Sequence, residues 1–234
     1  PPFGYSERTL CTTLIDYGDF DEDGDYNRAL LNPVKRFYRS APTVVGQYRR
    51  CDRIRRPDPN RCRTLYIPTT YSGNDLYGPF HIYEDAVYRQ WQSVLFEVLP
   101  GLTMKIHPKS KSDPCVPGAL IERRQLEECI AEYDLLVFDY FATGAVLAIM
   151  SDKPVIYFDI GLRRLAPKFA RDLRNRCEYA KISFSSDLRK QCADAMQKFW
   201  SIDKEWSNSG ITKYSFCEED RFNWLEILKA VSAG

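Results

Sequence analysis

From Tyr133 to Asp159 the apolar and polar positions fall into blocks that predict a strand, a turn, a helix and a second strand. Leu135 to Phe138 is an unbroken apolar run, the pattern of a parallel strand covered on both faces rather than the alternation of a half-exposed one. Asp139 and Tyr140 break it. A helix is expected to begin near Thr143 and Gly144, which places a hydroxyl and an unencumbered backbone at the positive end of the helix dipole. Val155 to Phe158 returns as a second buried strand. The result is a βαβ unit with a phosphate-sized site at the carboxyl end of its first strand.

The same patterning organises the rest of the chain. Thr64 to Pro68 predicts a short strand, and Thr69 to Pro79 a polar, glycine-bearing loop. His81 to Leu99 predicts an amphipathic helix, because Ile82, Ala86, Trp91, Val94, Leu95 and Val98 fall largely on one stripe, and Pro100-Gly101 stops it. Leu102 to Ile106 is the next strand, followed by His107-Pro108-Lys109 and a loop rich in Lys, Ser and Pro. A helix over Leu126 to Glu132 leads into the strand at Leu135. After Phe158, helices are expected around Leu162 to Arg176, Ser186 to Trp200 and Phe222 to Val231, with a short strand at Tyr179 to Ile182. Strands separated by helices predict an α/β fold, a Rossmann-like parallel sheet with helices on both faces. Residues 1–63 lack a sustained period and carry Gly, Pro and charge clusters, so they read as an irregular extension or the end of a preceding domain. The sheet domain is expected over 64–234.

Composition narrows the function classes. A chain of 234 residues, 44% apolar and 14% aromatic, can bury a sizeable core, and no apolar run approaches the roughly 20 residues that span a bilayer. Eight scattered cysteines without a CxxC or a Cys/His cluster argue against structural zinc and for reduced thiols, so a cytoplasmic setting is expected. The net charge of +1 supplies no overall field for nucleic acid, and any such role would need a local patch. One exists between Arg49 and Arg63, open to mutual pairing, plain solvation, or a membrane-facing or substrate-facing role. Asp19 to Gly24 has the alternating carboxylates of a calcium loop, but Leu30 stands at the twelfth position, where a bidentate Glu is required, and no metal site is expected.

In an open α/β sheet, ligands bind beyond the carboxyl ends of the strands, so residues that follow separate strands should converge. Three such edges are Thr69 to Gly73, with Ser72 between them, His107 to Lys109, and Asp139 to Gly144. Together they offer hydroxyls, backbone N–H groups, an imidazole and an ammonium, donors suited to a diphosphate or phosphodiester. Pro108 fixes the backbone after His107 and should turn the imidazole to the sheet edge, where it either donates to a phosphate oxygen or bonds a neighbouring carbonyl. Thr143 and Gly144 could serve an anion or form an ordinary helix cap. Asp159 could meet a ribose or sugar hydroxyl or form a structural turn.

The order Leu-Tyr-Ile-Pro-Thr-Thr (65–70), Lys-Ile-His-Pro (105–108), Tyr-Asp-Leu-Leu-Val-Phe-Asp-Tyr-Phe-Ala-Thr-Gly (133–144) and Lys-Pro-Val-Ile-Tyr-Phe-Asp (153–159) resembles the C-terminal, donor-binding half of GT-B glycosyltransferases. The likeness is greatest to CDP-glycerol glycerophosphotransferases and to bacterial surface-polysaccharide transferases of the Kdo and sialic acid type. The resemblance implies a metal-independent transferase moving a sugar or glycerol phosphate from a cytidine-activated donor, CMP- or CDP-linked, to a surface-glycan or lipid-linked acceptor. No cofactor is implied beyond that substrate. It further implies a cytoplasmic location with peripheral contact on the cytoplasmic face of the inner membrane.

Carried over, the His-Pro motif falls on His107, as the catalytic group touching the donor phosphate, and on Pro108. Thr69, Ser72, Gly73, Lys109, Tyr140, Thr143, Gly144 and Asp159 complete the expected donor site. The family's pair of serines after Asp-Tyr is here Ala142 and Thr143, one hydroxyl instead of two. The base for the acceptor belongs to an N-terminal half that residues 1–63 do not resemble, so this chain alone is expected to bind donor without turnover. Two other readings stay open: a sugar-nucleotide epimerase of the same architecture, and a noncatalytic module recognising a partner through the arginine-rich segment 49–63.

Overall fold

A computed structural model describes residues 13–17, 35–40, 46, 48–70, 85–108, 110, 116, 118–163, 165–201, 204–216, 225, 228–229 and 232. The chain forms two compact units, residues 49–211 and residues 1–48 with 212–234.

In the smaller unit, β1 (Thr13–Tyr17) pairs in parallel with β2 (Lys35–Arg39), Thr13 opposite Lys35 and Tyr17 opposite Arg39. Parallel pairing requires a crossover of a dozen or more residues, so residues 1–63 hold more regular structure than their sequence pattern predicts. The charged positions of Lys-Arg-Phe-Tyr-Arg hide the strand period there.

The larger unit carries a six-stranded, all-parallel sheet. Its strands in chain order are β3 (Thr64–Ile67), β4 (Thr103–Lys105), β5 (Leu120–Glu122), β6 (Leu135–Phe138), β7 (Val155–Asp159) and β8 (Glu178–Lys181). In space they run β5-β4-β3-β6-β7-β8, the doubly wound order in which the chain starts at the centre, winds outward, then returns to wind the other way. The expected α/β, Rossmann-like parallel sheet is therefore what the chain forms.

Register explains the two-sided burial. Tyr66 lies opposite Met104 and Val137, and Val137 opposite Ile156, so these share a face. On that face they join one apolar cluster with Trp91 and Leu95 of α1 (Asp85–Val98) and with Cys192, Met196 and Phe199 of α5 (Leu188–Ser201). Trp91 meets Phe158 edge-on at 5.3 Å between centroids, a pairing that adds about 0.5–1.5 kcal/mol beyond its buried area. The opposite face presents Leu65, Leu136, Phe138 and Tyr157. It receives α3 (Thr143–Met150), a helix apolar on nearly every side and so suited to full burial.

α2 (Leu126–Cys129) and α4 (Pro167–Arg176) complete the helices of this unit, α4 opening with Pro at its first turn. The predicted helix at Leu162 starts five residues later. β5 arises where the sequence reads as loop: it is a three-residue edge strand with Leu120 and Ile121 exposed, too short and too solvated to show a period. Among the described residues, no helix is long and apolar enough to cross a membrane.

The arginine-rich segment packs with this unit on the amino side of the strands. Arg49 N–H donates to the Met150 carbonyl at the far end of α3, and Arg63 immediately precedes β3. Arg56 donates to the Phe199 and Trp200 carbonyls, Arg53 pairs with Glu205, and Arg63 lies over the Tyr133 ring. Of the cysteines, Cys51, Cys62, Cys129, Cys177 and Cys192 carry free thiols, and burial pushes the Cys177 and Cys192 thiols up to about 12.

Candidate functional site

Strand order creates the site. The chain leaves β3 for β4 and β5 on one side and returns to β6 on the other, so the connections diverge and open a crevice beyond the carboxyl ends of β3 and β6. A cavity of about 310 Å³ occupies it. Pro68, Thr69 and Thr70 after β3, Ile106, His107 and Pro108 after β4, and Tyr140, Thr143 and Gly144 after β6 all line it. Three connections remote in sequence thus share one cavity.

α3 opens onto that cavity without a cap. Its N-cap is Ala142, in extended backbone, whose methyl side chain cannot accept a bond, and the first intrahelical bond runs from Val146 N–H to the Ala142 carbonyl. The ordinary Thr143 cap is not what forms: Thr143 is the first helical residue, one position inside. N–H groups of the first turn carry the positive end of the dipole, about half a charge. An oxyanion satisfies both needs.

Gly144 is needed for close approach. A Cβ there would sit 3.3 Å from Leu126 Cδ2 and 3.4 Å from Ile67 Cγ2. Gly144→Val is therefore expected to push the start of α3 off β3 and to weaken anion binding at least about tenfold, while costing about 1–3 kcal/mol of overpacking. Ligand titration beside urea unfolding checks this, and unchanged affinity would show that the helix start does not bind.

The remaining predicted residues fall as follows. Thr69 is 6% exposed, and its N–H donates to Tyr88 Oη at 3.0 Å. His107 is exposed at the cavity and its carbonyl accepts from Ser110 N–H. Tyr140 accepts a 3.0 Å bond from Arg163 Nη2, whose guanidinium lies 5.1 Å above the Tyr140 ring. Asp159 does not line the cavity; it accepts from Tyr179 Oη and from Gly161 N–H, and Gly161 has φ +86°, so a turn occupies that position. Ser72, Gly73 and Lys109 lie outside the described residues.

Sequence reasoning missed four lining or supporting groups. Lys105 lines the cavity from β4 at 5% exposure, its Nζ donating 2.9 Å to the Ile106 carbonyl, and burial lowers its pKa. Gln125 and Glu127 line it from the start of α2. That turn is held by Arg124, which bridges Glu122 and Glu132 and keeps Glu122 well below the usual carboxylate range, at about 2.

The fourth is Asp139, fully buried behind the cavity. Its carboxylate accepts from Tyr66 Oη, from Tyr88 Oη at 2.9 Å and from Trp91 Nε1 at 3.0 Å, and Tyr66 Oη accepts from Gln92 Nε2 at 3.1 Å. Burial raises the Asp139 pKa to about 6 against the opposing pull of those three donors, so the group is ionised at neutral pH. Tyr88 Oη links this buried carboxylate to the Thr69 amide, fixing one wall of the cavity from α1.

No protein-family model matches the sequence, and no curated protein matches it. Among solved structures, the chain is similar to one described as the glycotransferase of kitacinnamycin, at 12% identity and a TM-score of 0.37. That alignment covers 66% of this chain and 39% of the other.

Proposed function

We propose that the chain is the donor-binding part of a metal-independent glycosyltransferase that takes a sugar or glycerol phosphate from a cytidine-activated nucleotide for a surface-glycan acceptor. The observation that carries this reading is the meeting of His107, the Thr69 connection and the uncapped start of α3 in one cavity at the point where strand order reverses. The motif resemblance over residues 64–159 supplies the reaction class.

In this reading the donor phosphates lie across the mouth of α3. The first-turn N–H groups and the helix dipole stabilise charge as it develops on the leaving phosphate, the work a metal ion does elsewhere. His107, exposed on the β4 side, donates to a phosphate oxygen. Thr69 contributes its hydroxyl from a backbone held by Tyr88.

Calorimetric titration with CMP, CDP, UDP and GDP tests the reading. Cytidine nucleotides should bind selectively, with affinity unchanged by EDTA. A hydrogen bond to a charged group is worth about 1.5–3 kcal/mol, so His107→Ala should weaken binding about 10- to 150-fold. Preference for UDP would favour the epimerase, and absence of nucleotide binding by folded protein would leave an interaction module.

A further inference from the structure

We propose that ligand binding in this cavity is coupled to proton uptake by Asp139, so that the buried carboxylate repels an anionic donor when ionised and admits it when neutral; the inference rests on the nucleotide-donor reading above and adds the regulation of that site. Phe138 and Tyr140, on either side of Asp139 in the chain, both line the cavity, while the Asp139 carboxylate lies fully buried behind it. Two hydrogen bonds in series, 3.0 and 2.9 Å long, connect it to the wall: Thr69 N–H donates to Tyr88 Oη, and Tyr88 Oη donates to Asp139 Oδ1. One hydroxyl oxygen therefore stands between the carboxylate and the amide of a residue that lines the cavity. Its other donors, Tyr66 Oη and Trp91 Nε1, bring no charge, and among the described residues no cation comes within ion-pair distance of it. Ionised, Asp139 is a full negative charge held by dipoles alone.

The groups packed around Asp139 do not offset that charge. β3 presents Tyr66, α1 presents Tyr88 and Trp91, and Gln92 of α1 bonds the Tyr66 hydroxyl. β7 presents Tyr157, whose hydroxyl is pushed up by burial and by the Asp159 and Asp139 carboxylates and stays protonated. α5, on the same face of the sheet, contributes Cys192, whose thiol burial pushes up to about 12. Cations around the cavity are engaged with other groups. Lys105 bonds the Ile106 carbonyl and interacts with Glu122, Glu127 and Glu128, Arg124 bridges Glu122 and Glu132, and Arg163 lies over the Tyr140 ring. A phosphate entering the cavity adds like charge in front of Asp139, and like charge raises the proton affinity of a carboxylate.

Burial holds the carboxyl at about 6, so without ligand it is protonated at pH 5 and ionised at pH 8. The liganded chain binds the proton more tightly, taking it from solvent, and affinity for the anion is therefore greatest below about 6 and falls as pH rises from there. The test is calorimetric titration of the full chain with CDP-glucose, a diphosphate diester that does not itself titrate between pH 5 and 8. Wild-type affinity should fall about tenfold or more across that range. Asp139→Asn, close in shape and neutral at every pH, should bind about tenfold more tightly than wild type at pH 8, whatever slope His107 contributes to both proteins. Loss of a merely structural group would weaken binding instead. Equal or weaker binding at pH 8 by the folded variant overturns the inference.

Should the variant fail to fold, carbon NMR of the Asp139 carboxyl group in wild type decides. Saturating CDP-glucose should raise its proton affinity about tenfold, and a titration midpoint that stays in place overturns the inference. Absence of CDP-glucose binding by folded wild type would sink the donor reading and the inference with it, an outcome distinct from binding without proton uptake.

Discussion

Asp139→Ala should cost the fold about 3–5 kcal/mol, while Asp139→Asn should cost much less and remove a pH dependence. The carboxylate at position 139 is the common acceptor for Tyr66, Tyr88 and Trp91, which arrive from β3 and α1. Truncation leaves those donors inside the protein, and each unsatisfied buried group costs about 1–3 kcal/mol. The two tyrosine hydroxyls, 3.2 Å apart, can partly serve each other; the indole N–H has no such recourse. Asparagine keeps one oxygen for Tyr66 and Trp91 and can donate its amide to Tyr88.

The pH effect follows from the sign of the Asp139 shift. The folded-state pKa, about 6, lies above the ordinary value of 3.8, so the folded chain holds this proton more tightly than the unfolded chain does. The associated stability is complete below about 3.8 and is lost as pH rises through about 6, amounting to about 3 kcal/mol at about 1.36 kcal/mol per pKa unit. Urea midpoints between pH 4 and 7 should therefore fall with pH in wild type and flatten in Asp139→Asn. An identical slope in both proteins would show that another group titrates.

Arg176→Met should cost a further class of contact and about 3–5 kcal/mol. The Arg176 side chain, 0% exposed, donates through Nε to the Ile149 carbonyl at 2.7 Å. Its Nη2 donates to the carbonyls of Ala148, Ser151 and Lys153. It caps the carboxyl end of the helix whose other end opens on the cavity, where a cation also complements the negative dipole end. Burial lowers its pKa to about 10, so it remains charged at neutral pH.

Methionine fills most of the space but takes the guanidinium donors from the Ile149 and Lys153 carbonyls, while Ala148 keeps Ser151 and the Ser151 carbonyl keeps Asn208, and removing a buried charged donor of this kind is among the more damaging changes. Lysine keeps the charge without the planar fork and should recover less than half of the loss. Equilibrium unfolding of Arg176→Met and Arg176→Lys checks this; a cost below about 1 kcal/mol for methionine would mean that the carbonyls find other donors.

The strands at Leu135 and Val155 could be read from sequence because a parallel strand covered on both faces needs an unbroken apolar run, and both supply one. The start of α3 near Thr143 and Gly144 was legible, although its cap was not: a threonine beside a glycine suggests a capping hydroxyl, and the backbone instead makes Ala142 the boundary. Lys105 was hidden by its own period. In Thr-Met-Lys the alternation suggests an outward-facing lysine, but the outward face is covered by α2, whose residues come about twenty positions later.

Asp139 looked like a turn residue because its partners, Tyr66, Tyr88 and Trp91, lie 73, 51 and 48 positions away. Edge strand β5 left no pattern at all, since Leu120 at 61% exposure is not selected by a core. What local sequence encodes is burial; which buried groups meet is set by the winding of the sheet.

Amide NMR of the full chain titrated with CDP tests the central claim most directly. The account predicts that the largest shifts fall on Thr69, His107 and the first turn of α3 at Thr143, Gly144 and Ala145, the amides around one cavity. Shifts confined to the opposite rim, at Arg49 to Arg63, with those amides unmoved, would contradict it.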